Sequence, residues 1–296
     1  MAGFVGAAAA SRIVILGVLT ATLLGPFLFA RALALGPVAA NISKFWCSIC
    51  CQLCGLRVRR QGRPEGGPTL FVANHVSYLD VLVIGSLVNA TFVAKAEVAS
   101  WPVLGFLARA AGTVFIERRR ACSASQRKHL AECLGGKQSL VLFPEGTSSS
   151  GTRVGPFKTA LFGAVEDAPS DARVNLQPLT IAFTRKRSGE ALSDAERDRF
   201  AWYGEMTLLP HIIRMFSARG AEVEVIFHPS LAIDGAVDLR PSRKDLAKSC
   251  EITVAQGLED ALVRAKSRNG RRWVVKRPFN GAVNAGLTIL RRATRA

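Results

Sequence analysis

Three features of the sequence predict an α/β protein with a largely parallel sheet flanked by helices and an N-terminal membrane-anchoring helical segment. They are short apolar runs alternating with amphipathic stretches after residue 68, one long uncharged apolar run near the amino terminus, and a Gly/Pro-rich break between the two. The chain has 296 residues, 49% of them hydrophobic, and its mean hydropathy is +0.22. That balance is high for a water-soluble protein and too low for a many-span transporter, so it fits one membrane contact on a globular body. The expected organisation is a membrane anchor and amphipathic helical region over 1–60, an α/β domain over 61–265 and a basic tail over 266–296.

Residues 13–30 form an uncharged apolar run of about the minimum length that crosses a bilayer. Arg31 interrupts it, residues 32–40 continue the apolar character, and Pro26 and Gly36 make a kinked or re-entrant piece the alternative to one straight span. A cleavable signal sequence competes, because small residues lie around 32–34, yet only Arg12 precedes the run as a positive charge. Lys44, Arg57, Arg59, Arg60 and Arg63 follow it, a bias that places the rest of the chain on the cytoplasmic side of the inner membrane.

Cys47, Cys50, Cys51 and Cys54 then form a CxxCCxxC run. Their spacing puts them on one face of a helix, the pattern of an ordinary apolar stripe, and free cysteine packs as a small hydrophobe. Zinc sites usually separate two CxxC pairs by a long loop, so no metal is expected. Cys122, Cys133 and Cys250 add no disulfide framework, which favours a reducing compartment.

After the break GRPEGGP at 62–68, strands are expected at 69–73, 91–94, 113–116, 139–143, 174–183 and 222–227. Helices are expected near 80–88, 103–110, 123–134 and 157–165, and in such alternations active sites gather at the carboxyl ends of the strands. A long helix over 243–264 precedes the tail, which interleaves Lys and Arg with Trp273, Val274, Val275 and Phe279.

The formal charge of +17 and the pI near 10.4 call for an anionic counterpart: nucleic acid, a membrane face or a phosphorylated substrate. Neither an RNP-type aromatic pattern nor a zinc-finger spacing occurs and the basic residues are dispersed, so no nucleic-acid partner is expected. A membrane-tethered nucleic-acid-binding protein is the rival class. The tail suits an anionic membrane surface, where each cation contributes about 1 kcal/mol.

Directly after the first of these strands comes Asn74-His75-Val76-Ser77-Tyr78-Leu79-Asp80. Positions five apart diverge on a continuous helix. They meet if His75 lies in the strand-to-helix loop and Asp80 in the first helical turn, where a carboxylate fixes one ring nitrogen and leaves the other as a base. Ser77 and Asp80 also read as a capping box, a structural role compatible with the first.

Phe143-Pro144-Glu145-Gly146-Thr147-Ser148-Ser149-Ser150-Gly151 follows another apolar strand, with Arg153 and Lys158 beyond. Such a loop either offers amides and hydroxyls to a phosphate or is a plain polar turn. The chain has neither a GxxxxGK[ST] loop nor a GxSxG elbow, which counts against an ATPase or serine hydrolase. The third segment, GTVFIER at 112–118, ends a strand in charge, with Arg119 and Arg120 next. An arginine there is either a fork for a phosphate or simply solvated.

In this order the segments resemble the glycerolipid (lysophospholipid) acyltransferase family, of the bacterial 1-acylglycerol-3-phosphate acyltransferase type. NHVSYLD at 74–80 is similar to the family's NHxxxxD, GTVFIER to its second motif, FPEGTS at 143–148 to its third and VNLQPLTIAF at 174–183 to its proline-containing fourth. The resemblance implies an acyl-CoA or acyl-carrier-protein donor without other cofactor, and a lysolipid acceptor whose hydroxyl is acylated, with 1-acylglycerol-3-phosphate giving phosphatidate as the expected case. It implies His75 as general base, Asp80 as its orienter, Arg118 as ligand of the acceptor phosphate, and Glu145, Gly146 and Thr147 at the acceptor site. Lys95 matches a further position linked with phosphate binding.

Many relatives carry an arginine directly after FPEGT, where this chain has Ser148. The segment AWYGEMTLLPH at 201–211 resembles a proteobacterial version, some of whose members acylate lyso-ornithine lipid, the alternative acceptor. His211 within it is expected to be structural.

Overall fold

The computed structural model describes residues 6–117, 124–169, 174–233 and 241–267. The apolar run is α1 (Ala7–Ala32), 26 residues and about 39 Å long at 1.5 Å per residue. A turn at residues 33–35 leads into α2 (Gly36–Leu53), where Pro37 sits in the first turn and its missing N–H costs no helical bond. The two helices pack on each other, tied by the Trp46 indole N–H donating to Thr20 Oγ1 at 3.0 Å. Cys47, Cys50 and Cys51 of α2, and Cys54 at its end, are buried on the face turned to the protein body.

Eight strands are described: β1 (Leu56–Gln61), β2 (Thr69–Ala73), β3 (Thr91–Lys95), β4 (Val114–Ile116), β5 (Leu140–Leu142), β6 (Val174–Lys186), β7 (Ala221–Phe227) and β8 (Leu231–Ile233). The sheet runs β1-β7-β6-β2-β5-β3-β4, with β8 on β6. Every neighbouring pair is parallel except β6 with β7 and β6 with β8. The largely parallel α/β fold expected from the sequence is therefore the fold observed.

Strand β2 is buried along its whole length because both faces of the sheet are covered. Leu70 and Val72 face α5 (Ala124–Gly135) and α9 (Arg243–Lys266), while Phe71 and Ala73 face α2, α3 (Leu79–Gly85) and α8 (Leu208–Phe216). α9 lies so close to β6 that a Cβ on Gly257 would fall 2.4 Å from Thr180 Oγ1 and 2.7 Å from the His228 ring.

Five elements were not anticipated: β1, β8, the 3₁₀ turn Ala96–Ser100, α7 (Asp194–Arg197) and α8. Strand β1 starts the sheet at Leu56, within the stretch assigned to the anchor. Its sequence LRVRRQ alternates over its first four residues, with Arg57 and Arg59 exposed opposite Leu56 and Val58, as suits an edge strand, and its three arginines read as a basic flank of the membrane helix. The helix expected over 157–165 divides into a 3₁₀ turn (Thr159–Phe162) and α6 (Gly163–Glu166). α4 (Leu104–Ala110) is as expected. The tail from residue 268 onward, with Cys122, Arg119 and Arg120, lies outside the described residues.

Candidate active site

β2, β5 and β3 are parallel neighbours, so the segments leaving their carboxyl ends converge. The loop after β2 carries His75, whose Nδ1 lies 2.8 Å from Asp80 Oδ2. The same oxygen accepts the backbone N–H groups of Val76 at 2.7 Å and Ser77 at 2.9 Å. Asp80 is fully buried in the first turn of α3, and its carboxylate both braces the strand-to-helix loop and holds the imidazole. The capping box expected from Ser77 and Asp80 does not form, since the helix starts at Tyr78 without a side-chain cap and the Asp80 N–H bonds the Ser77 carbonyl. As an ionised carboxylate only accepts, Nδ1 carries the proton and Nε2 is left as the basic nitrogen. The ring stacks on Phe143 with centroids 4.2 Å apart.

The loop after β5 is fastened to this one by Glu145. Its Oε1 accepts the His75 backbone N–H at 2.8 Å and its Oε2 accepts that of Gly155 at 2.8 Å. Burial pushes the Glu145 carboxyl above its ordinary value, and the two N–H groups pull it part of the way back. Gly146 has φ of +74, and a Cβ there would sit 2.6 Å from Lys158 Nζ, so the turn requires glycine. The Ser149 backbone N–H donates to the His75 carbonyl at 2.9 Å. Asn74 exchanges two bonds with the Ile181 backbone, at 2.9 and 2.8 Å, which anchors the loop to β6.

His75 opens into a cleft of about 1450 Å³ lined by α1, α2, β3, α4 and both loops. Its lining includes aromatic rings: besides Phe143 against the imidazole, Tyr78, Trp101 and Trp202 line it, and the two tryptophan rings meet edge to face at 5.7 Å. Trp202 comes from far along the chain yet is held at the site, since its N–H donates to the Val76 carbonyl at 3.0 Å and its carbonyl accepts the Ser148 hydroxyl.

Residues 56–182 match the acyltransferase family model. The lyso-ornithine lipid O-acyltransferase of Rhodobacter capsulatus is 38% identical over 224 residues, covering 75% of this chain and 77% of that protein. The chain belongs to the acyltransferase family. A 1-acyl-sn-glycerol-3-phosphate acyltransferase of Neisseria gonorrhoeae is 42% identical over 116 residues, 38% of this chain and 45% of that protein. The 1-acyl-sn-glycerophosphate acyltransferase of Thermotoga maritima shares the fold, with a TM-score of 0.59 at 20% identity over 90% of this chain and 99% of that one.

The acyltransferase is an enzyme of the lysolipid type, and α1, together with its lipid-acylating relatives, associates it with a membrane. Of the residues singled out in the sequence, His75, Asp80, Glu145 and Gly146 come together as described. Thr147 and Lys95 line the cleft, with Lys95 Nζ held 2.7 Å from Glu97. Glu145 and Gly146 stand behind the wall and shape it from there. Arg118 lies outside the described residues.

His211 is buried with its Nδ1 3.2 Å from the Tyr78 hydroxyl, and burial lowers its pKa, so it supports the wall as a neutral ring. Sequence reasoning missed Phe143, Tyr78, Trp101 and Trp202 as wall residues. The first two lie inside the motifs, but nothing local brings Trp101 and Trp202 to His75.

Proposed function

We propose that this acyltransferase transfers a fatty acyl group from an acyl-CoA or acyl-carrier-protein thioester to the hydroxyl of lyso-ornithine lipid, at the cytoplasmic face of the inner membrane. The observation that carries the choice of acceptor is the Ser148 hydroxyl donating to the Trp202 carbonyl. Where many relatives place a guanidinium after FPEGT, this chain has an uncharged side chain engaged by the site wall, which suits a headgroup without phosphate. Support comes also from the Rhodobacter relative, similar over three quarters of the chain.

In the proposed mechanism Nε2 of His75 takes the proton of the acceptor hydroxyl as its oxygen attacks the thioester carbonyl. Asp80 stabilises the imidazolium that forms. The tetrahedral intermediate then collapses, the carbon–sulfur bond breaks, and the departing sulfur recovers the proton. No covalent acyl-enzyme and no metal are needed for this sequence.

A second reading, 1-acylglycerol-3-phosphate as acceptor, is favoured by Lys95 in the cleft and by the Neisseria relative. Thiol release from acyl-CoA by the full-length protein, with each lysolipid in turn, separates the two. Faster release with lyso-ornithine lipid supports the first, the reverse order supports the second, and no acceptor-dependent release sinks both.

A further inference from the structure

Val103 adopts φ of +61, a conformation that a β-branched residue avoids because its Cβ crowds the following peptide. It precedes α4 and is 68% exposed, followed by Leu104 at 36% and Phe106 at 46%. Gly105 between them presses on the 3₁₀ turn Ala96–Ser100, where a Cβ would lie 2.3 Å from the Ala99 carbonyl oxygen. The Arg109 guanidinium, one turn on along the same face of α4, donates to the same carbonyl. Single exposed hydrophobics need no explanation, but a strained turn locked so as to present three of them does.

The knuckle is continuous with the membrane helix. Leu107 and Ala110 of α4, with Ala111 at its end, line a crevice of about 80 Å³ together with Leu23, Leu24 and Phe27 of α1. Val103, Leu104 and Phe106 also line the cleft that leads to His75, opposite Leu16 and Leu24 of α1. Trp101 at the base of the knuckle is of the residue type that settles at the boundary between lipid and water.

We propose that residues 101–106 are a second membrane-inserting element that dips into the same leaflet as α1. The cleft then opens to lipid between the two, and the acceptor slides in sideways without leaving the bilayer. The proposal rests on the membrane association and the lysolipid acceptor, and adds to them a place of entry.

The test reconstitutes the full chain in phosphatidylcholine vesicles doped with a phosphatidylcholine that carries a diazirine halfway along one acyl chain. After illumination, adducts are mapped by peptide mass spectrometry. Adducts on 101–106 as well as on α1, with the former lost in Val103→Glu and the latter retained, are the expected result. Adducts confined to α1 would overturn the proposal, as would 101–106 adducts that disappear when unlabelled lysolipid acceptor is added, which would report a chain inside the cleft. Absence of adducts even on α1 would remove the membrane association itself, a failure distinct from the other two.

Discussion

Asp80 Oδ2 receives three N–H groups at once, the imidazole of His75 at 2.8 Å and the backbone amides of Val76 and Ser77 at 2.7 and 2.9 Å. Its other oxygen is buried without a partner among the described residues. The hydrogen bonds of the carboxylate therefore converge on the loop that presents the base, so bracing the loop and setting the tautomer are one interaction.

His75→Ala is expected to lower transfer by about 10²–10⁴-fold while the fold persists, since a general base contributes on that scale. Asp80→Asn should reduce the rate and the melting temperature together, because it disturbs the loop as well as the ring. Steady-state rates beside circular-dichroism melts check this. A fall in melting temperature alone would reduce Asp80 to a brace of the loop.

Glu145 gives a pH-dependent signature. Its folded pKa is raised above the ordinary value of 4.5, so the folded state holds the proton more tightly than the unfolded one. That contribution is fully present below pH 4.5 and is lost as pH rises through the raised value. Glu145→Gln cannot titrate, so wild type should lose melting temperature relative to the variant over that interval. The glutamine also turns an N–H toward either the His75 or the Gly155 amide, at a cost of about 1–3 kcal/mol.

Ser148→Arg should move acceptor preference toward lysophosphatidate. A new charge-assisted contact is worth about 1.5–3 kcal/mol, or roughly 10–150-fold in kcat/KM. The readout is the ratio of kcat/KM for the two lysolipids, and an unchanged ratio would separate position 148 from headgroup choice.

Gly257→Ala is expected to destabilise by about 1–3 kcal/mol, because its Cβ would strike Thr180 and His228 and force α9 off β6. Denaturant midpoints measure it. The contact is remote from the cleft, so transfer well below the melting temperature should stay near wild type.

His228 titrates in the opposite sense to Glu145. Thr180 Oγ1 lies 3.1 Å from the Val254 carbonyl, to which it donates, and so accepts from His228 Nε2 at 2.9 Å; burial holds this imidazole down to about 4. Stability from the neutral ring is present above the ordinary value of 6.5 and is lost as pH falls through about 4. At about 1.36 kcal/mol per pKa unit this amounts to about 3 kcal/mol, which His228→Gln should remove from the acid limb of the stability profile.

Most strands and the His75–Asp80 pair were legible because both depend on short-range pattern: short continuous apolar runs, as suits strands buried on both faces, and a histidine and an aspartate within one strand-loop-helix step. Strand β1 was hidden by its arginines, since an edge strand with a solvated face resembles a basic flank. The role of Glu145 was hidden for another reason. It acts by gripping the His75 amide from a loop that returns seventy residues later, a relation fixed by the parallel register of β2 and β5 and carried by no local signal. Trp202 likewise reaches the site through the Ser148 and Val76 backbone links, which only the tertiary fold creates.

Strand β6 has one further consequence. Its first half pairs with β2 and β8 and its second half with β7, which alone holds β1. The recognisable family segment ends at residue 182, inside β6. A fragment cut there would carry β1 without its partner and leave the remaining half of β6 as an unpaired edge, a template for self-association. The smallest piece able to fold alone must therefore run on through β7, beyond the segment that the family model marks out.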